Sequence, residues 1–93
     1  MKPKPHWDTI EKAIGNTCRL KIIRALMKNP NKPLTKHLLQ KYTHLNAREV
    51  KKHLTVLTQM GWVKEIPYKP LKYRLNTDRE DVKRITEYFR PYL

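Results

Sequence analysis

The chain is poor in glycine, cysteine and acid: two Gly, one Cys, and 8 Asp/Glu against 21 Lys/Arg in 93 residues. Two glycines leave no phosphate-cradling glycine loop, and both Gly15 and Gly61 stand where helices are expected to end. One cysteine excludes an internal disulfide framework. Cys18 follows a helix start beside Arg19 and Lys21, where a lowered thiol pKa or a bridge to another subunit is chemically open. A small, partly buried side chain is the simpler reading. No apolar run approaches the roughly 18 residues of a membrane span. The Lys-Pro start also lacks a signal peptide's apolar core, so a soluble cytoplasmic protein without a membrane partner is expected. The sequence holds no nucleophile–base pair and no paired carboxylates, so enzymatic activity is not expected. His6, His37, His44 and His53 are scattered without ligand spacing, so neither metal nor cofactor is expected.

What is abundant is positive charge, and it is segregated. The formal net charge is +13, and residues 16–76 carry 14 Lys/Arg against only Glu49 and Glu65, a local balance of +12. The two ends together contribute +1. A middle that self-repels this strongly calls for a polyanionic partner. Ninety-three residues make one small domain. A chain this short buries only about two-thirds of its unfolded surface, so a partner subunit would add useful burial.

Residues 1–6, MKPKPH, form a basic, proline-containing arm expected to be disordered, ahead of a single domain over 7–93. A short helix is expected from Trp7 or Asp8 to Ile14. A second, capped by Asn16 or Thr17, runs to about Lys28 with Leu20, Ile22, Ile23 and Leu26 as core. Lys32-Pro33-Leu34 can add a very short strand. Thr35 caps a third helix to about Tyr42, with Leu34 and Leu39 as a hydrophobic staple. After the short turn Thr43-His44-Leu45 comes the most explicit stretch of the chain, LNAREVKKHLTVLTQMGWV, Leu45 to Val63. Asn46 is its N-cap, Glu49 completes a capping box, Leu45 and Val50 staple its entry, and Gly61 supplies the left-handed end. At 100° per residue Val50, His53, Leu54, Leu57 and Met60 gather on one side. His53, at the edge of that side, reads as a packed, hydrogen-bonded residue.

The other side of the same helix, about residues 47–60, holds Ala47, Arg48, Lys51, Lys52, Thr55, Thr58 and Gln59, with no acid among them. A solvated helix face usually intersperses acids with its lysines. A face of donors, short hydroxyls and cations suits a DNA groove: Arg and Lys for guanine, Gln for adenine, a Thr methyl for thymine. Lys51 is placed near the centre of the stripe and Lys52 toward its margin. Downstream the period changes to two. Trp62–Ile66 and Leu71–Leu75 read as a hairpin over about 62–75, whose tip and second strand carry Tyr68, Lys69, Lys72 and Arg74 for DNA backbone or minor-groove contact. Thr35 and Lys36 at a helix N-terminus are expected to meet a phosphate. Thr77-Asp78-Arg79-Glu80 reads as a capping box opening a last helix to about Arg90. The stripes Trp7, Ile10, Ile14 and Val82, Ile85, Phe89 lie on nearly charge-balanced terminal helices, which suits a homodimer interface.

Helix, helix, helix-turn-helix, hairpin, helix is a winged helix-turn-helix order, mainly α with a small β wing. The runs GNTCRLKIIRAL (Gly15–Leu26) and VKKHLTVLTQMGWV (Val50–Val63) resemble ArsR-type bacterial and archaeal repressors, over roughly residues 15–75. That resemblance implies a dimeric, sequence-specific regulator of transcription that binds double-stranded DNA in the nucleoid, most simply a repressor that occludes a promoter. It implies recognition positions at Arg48, Lys51, Lys52 and Thr55, wing positions over Tyr68–Lys72, and dimer contacts on the terminal helices. It does not extend to metal sensing: where ArsR metal sensors place a Cys-x-Cys site this chain has Leu34-Thr35-Lys36-His37, and its last helix has no His. The alternative is a non-specific DNA- or RNA-binding protein of the same fold.

Overall fold

The computed structural model describes the backbone from Trp7 and the side chains from Thr9 to Leu93; the basic arm and the Trp7 side chain lie outside the described residues. In chain order the elements are α1 (Trp7–Ile14), α2 (Thr17–Met27), β1 (Leu34–Thr35), α3 (Lys36–Thr43), α4 (Ala47–Gln59), β2 (Val63–Ile66), β3 (Lys72–Leu75) and α5 (Glu80–Phe89), closed by a 3₁₀ turn over Arg90–Tyr92. The expected α-rich order with one hairpin is present. The short strand near Leu34 is real: β1 pairs with β3, giving an antiparallel sheet of order β1-β3-β2. In it Leu34 faces Tyr73, and Val63 faces Leu75.

Local chemistry sets the boundaries. The Asn16 side chain accepts from Arg19 N–H, Thr35 Oγ1 from Leu38 N–H, and Asn46 Oδ1 from Glu49 N–H at 2.8 Å. Each occupies a donor that its helix leaves unsatisfied. The end of α4 is a Schellman motif. Gly61, at φ 79°, lets its own N–H reach the Thr58 carbonyl and the Trp62 N–H reach that of Leu57. His44 takes the left-handed conformation at the end of α3, φ 61°, a place where a glycine is commoner.

The core lies where α2, α3, α4 and the sheet meet. Ile22, Ile23, Leu34, Leu39, Val50, Leu57 and Trp62 are wholly buried in it, with Leu54 and Val82 almost so. The Leu34–Leu39 and Leu45–Val50 staples are both buried. Three expectations need correction. Leu20, placed in the core, is 38 % exposed, because its position on α2 falls outside the arc of Ile22, Ile23 and Leu26. Thr43, placed in the turn, is instead the last residue of α3, its hydroxyl bonded to the Leu39 carbonyl. Thr77 does not cap α5. Arg79 holds the cap position with no side-chain cap bond, and Glu80 is the first helical residue. Asn76 outcompetes Thr77 for the local backbone: its carbonyl takes Arg79 N–H and its Oδ1 takes Asp78 N–H, making a turn where a helix was expected.

Candidate nucleic-acid interface

Helix α4 turns one side into the core through Val50, His53, Leu54 and Leu57, and leaves Ala47, Arg48, Lys51, Lys52, Thr55 and Gln59 exposed. The stripe expected from the periodicity therefore faces outward except at Thr58, which is half-buried with its hydroxyl oxygen turned away from the surface. Its internal order needs one correction. With the buried side centred between Val50 and Leu57, the opposite direction falls between Arg48 and Gln59; Thr55 and Lys52 lie on either side of it, and Lys51, placed at the centre by the sequence, lies farther round. Lys51 leans to the side of α3 and the hairpin: with Lys36, Thr55, Gln59, Leu71 and Tyr73, and one acid, Glu65, it lines a concavity of about 230 Å³. Helix α4, the start of α3 and the hairpin thus share one surface. The Thr55 hydroxyl donates to the Lys51 carbonyl at 2.8 Å, so its methyl is the group freest for an outside contact.

Two further cations lie over aromatic faces. Lys36 Nζ lies 6.0 Å from the centre of the Tyr73 ring, and Lys72 Nζ lies 5.2 Å from that of Tyr68. Tyr73 is buried in the sheet, and burial, helped by Glu65, holds its phenol pKa above the ordinary value. It is a neutral platform. Tyr68 is 57 % exposed at the hairpin tip beside exposed Lys69, and Arg74 is exposed on β3. Thr35 is spent on its helix cap, leaving Lys36 as the charge at that helix start.

The inner side of α4 carries one titratable group. His53 is 5 % exposed and its Nδ1 accepts from Arg19 Nε at 3.2 Å. Burial, then the charges of Arg19 and Lys52, push its pKa below the ordinary 6.5, so the ring is neutral near pH 7. This is the packed histidine that the sequence suggests.

A set of hydrogen bonds at the end of α4 had no signal in the sequence. Asn76 Nδ2 donates to the Gly61 carbonyl at 2.8 Å, and Arg79 Nη1 to that of Met60 at 3.0 Å. Arg79 also forms a two-pronged pair with Asp81, 3.0 Å at each bond. These side chains close the end of α4 from the turn before α5. A lone Arg inside Thr-Asp-Arg-Glu does not announce such a role.

The terminal stripes are mixed. Ile10, Ile14, Ile85 and Phe89 are half-buried and pack on the protomer's own core. Val82 is 1 % exposed and has no surface left to offer a partner. Beside Phe89 the apolar surface continues through Tyr88, Tyr92, Leu93 and Leu20, all exposed. Tyr88 stacks edge-on against Phe89 at 5.1 Å.

An outward basic helix preceded by a capped helix and a tight turn, and followed by a three-stranded hairpin sheet, has clear structural counterparts. HlyU from Vibrio cholerae N16961 is similar at 25 % identity and a TM-score of 0.75, over 92 % of this chain and 90 % of that one. A homodimeric winged helix-turn-helix DNA-binding domain, Mb0332 from Mycobacterium bovis, a possible ArsR-family transcriptional regulator, is similar at 20 % identity and a TM-score of 0.68, over 99 % and 89 %. The fold is a winged helix-turn-helix. The transcriptional repressor BigR from Xylella fastidiosa shares it at 15 % identity and a TM-score of 0.75, over 94 % and 85 %. No protein-family model matches the sequence, and no curated protein matches it significantly. The structural neighbours of this winged helix are therefore transcriptional regulators, an ArsR-type protein among them, as the two sequence runs suggest. In the terms of this fold, α3 and α4 are the helix-turn-helix and β2–β3 is the wing. Among the described residues no group of His, Cys, Asp or Glu is arranged to hold a metal ion, and no helix is long and apolar enough to cross a membrane.

Proposed function

We propose that this winged helix is a sequence-specific, double-stranded-DNA-binding regulator of transcription, acting as a homodimer and most simply as a repressor. Helix α4 enters the major groove, and the wing follows backbone and minor groove. The observation that carries this reading is the outward side of α4, with Arg48, Lys51, Lys52, Thr55 and Gln59 and no acid among them, which shares a concavity with Lys36 of α3; Tyr68, Lys69, Lys72 and Arg74 of the hairpin add to the basic set. Among the described residues no ion pair involves any of these cations. Arg48 stands in the first turn of α4, the part of a recognition helix that reaches base edges, and its fork suits guanine O6 and N7. Lys36, Lys69 and Lys72 are placed for phosphates, which orient the protein without reading sequence. The homodimer is proposed to rest on the apolar surface around Ile85, Phe89, Tyr88 and Tyr92, with Ile10 and Ile14 of α1 as a second contribution. It would set two copies of α4 about 34–36 Å apart, one turn of B-DNA.

Selection from a random duplex library tests the reading. A sharp, near-palindromic motif is the expected outcome. Flat enrichment would favour the non-specific nucleic-acid binder instead.

A further inference from the structure

The molecule has a second basic surface, and it does not belong to the first. On α2 the buried residues Ile22, Ile23 and Leu26 cover one arc, joined by Arg19, whose Nε reaches His53 of α4. At 100° per residue Lys21, Arg24 and Lys28 fall on the opposite arc, pointing away from the recognition helix. They are exposed. Together with Asn29, Tyr42 and His44 they line a cleft of about 650 Å³ between α2 and the last turn of α3. That volume lies within the range of small-molecule sites, about 300–1,000 Å³.

We propose that this cleft binds a small phosphorylated aromatic anion of nucleotide size. No carboxylate lines it, and among the described residues none of its three cations is in an ion pair. Basic residues near a helix end commonly offset the helix dipole. That accounts for Arg24 and Lys28 but not for Lys21, nearly two turns before the end of α2. Nor does it account for Tyr42, which is 48 % exposed on the wall of the cleft. Two ammonium groups and one guanidinium fork line one recess, Arg24 standing also at the edge of the hollow beside Phe89; together they exceed what a single carboxylate needs and match a multiply charged phosphate. The Tyr42 ring offers a face on which a base can stack. A second duplex is the competing polyanion. A recess closed on one side by the end of α3 fits a ligand of limited length rather than a continuous backbone.

The test uses the isotopically labelled full chain without DNA, titrated with adenosine diphosphate and followed by amide shifts and calorimetry. We expect saturable binding of one nucleotide per chain, with shifts centred on residues 21–29 and 42–44. Lys21→Gln with Lys28→Gln weakens it about tenfold or more, whereas Lys51→Gln with Lys52→Gln leaves it unchanged. Tyr42→Ala weakens the nucleotide but leaves inorganic pyrophosphate, which has no ring, as it was. Shifts centred on α4 and the wing would overturn the proposal, as would a linear, unsaturable titration or equal losses in the two double variants. So would a random-sequence duplex that shifts residues 21–29 and is not displaced by the nucleotide. None of these arms depends on a specific DNA site, so the fate of the cleft and that of the proposed regulator are decided separately.

Discussion

The helix-turn-helix with its wing and the segment that follows it spend their charges in opposite ways. From Lys36 to Arg74 cations outnumber acids heavily, and in that stretch only Lys64 enters an ion pair, to Asp78 beyond it. From Arg79 onward each ion pair is internal: Arg79 with Asp81, and Arg84 with Glu80 one turn apart. All three ion pairs among the described residues draw their carboxylate from residues 78–81. Exposed pairs of this kind are worth little individually, about 0–1 kcal/mol. The lesson lies in distribution rather than energy. Acids are supplied where the chain must neutralise itself and withheld where an outside anion is to do so.

The largest test of that contrast is salt. If each protomer neutralises roughly four or five phosphates, log K against log[salt] for a dimer should fall with a slope of about −7 to −9. Between 50 and 200 mM salt, duplex affinity then drops about 10⁴- to 10⁵-fold. A slope near zero would erase the distinction between the two regions.

Next comes the paired region. Phe89→Ala should cost about 2 kcal/mol or more of dimer stability and weaken operator binding with it. Because Phe89 also packs on the protomer's core, Tyr88→Ala is the companion variant, exposed at 68 % and able to lower dimerisation without unfolding the chain. Sedimentation that finds wild-type monomers at tens of micromolar with full specific binding would remove the terminal helices from assembly.

A finer division should appear inside the basic region itself. Arg48→Ala is expected to cost about 1–3 kcal/mol on the selected site and much less on scrambled DNA. Lys69→Ala should weaken both nearly equally and reduce the salt slope by about one for each phosphate no longer neutralised. Affinities on the two duplexes at two salt concentrations separate them. Equal losses for Arg48→Ala would mean that α4 is not reading sequence through that residue.

The smallest effect concerns His53, where the basic region touches the core. Its folded pKa lies below the unfolded 6.5, chiefly through burial and then through Arg19 and Lys52. Below pH 6.5 the unfolded chain therefore holds more protons than the folded one. The stability linked to this ring is complete above that pH and is lost as pH falls toward the folded value. Urea midpoints at pH 7.5 and 5 should show the decrement, and His53→Gln should flatten it. An unchanged pH profile in the variant would assign the acid sensitivity to other groups.

What was legible in the sequence was what short-range chemistry decides. Asn46 and Gly61 state the ends of α4, and the period of Val50, Leu54 and Leu57 states its buried side; both hold in the structure, while of the capping box the one bond among the described residues is that from Glu49 N–H to Asn46 Oδ1. Leu34 as a strand residue was readable from its proline-flanked position between helices. What was not legible depended on competition or on distance. Thr77 is a good cap until Asn76 takes the same backbone groups, and the sequence does not rank the two. Leu20 looks like core until the arc of α2 that faces α4 is known. Lys21, Arg24, Lys28 and Tyr42 form a cleft only because α2 and α3 are packed together, and nothing in the spacing of the first three announces the fourth.

The Arg79 guanidinium has a mechanical meaning. With one nitrogen it holds the carbonyl of Met60, where α4 ends, and with the others it holds Asp81, in the first turn of α5. Asn76 adds a second strut to the Gly61 carbonyl. Torque applied to α5 must either break these bonds or carry the end of α4 along. The helix that would meet a partner subunit and the helix that would meet DNA are thus tied together at the rim by Arg79, in addition to the core that Val82 shares with Leu54 and Leu57.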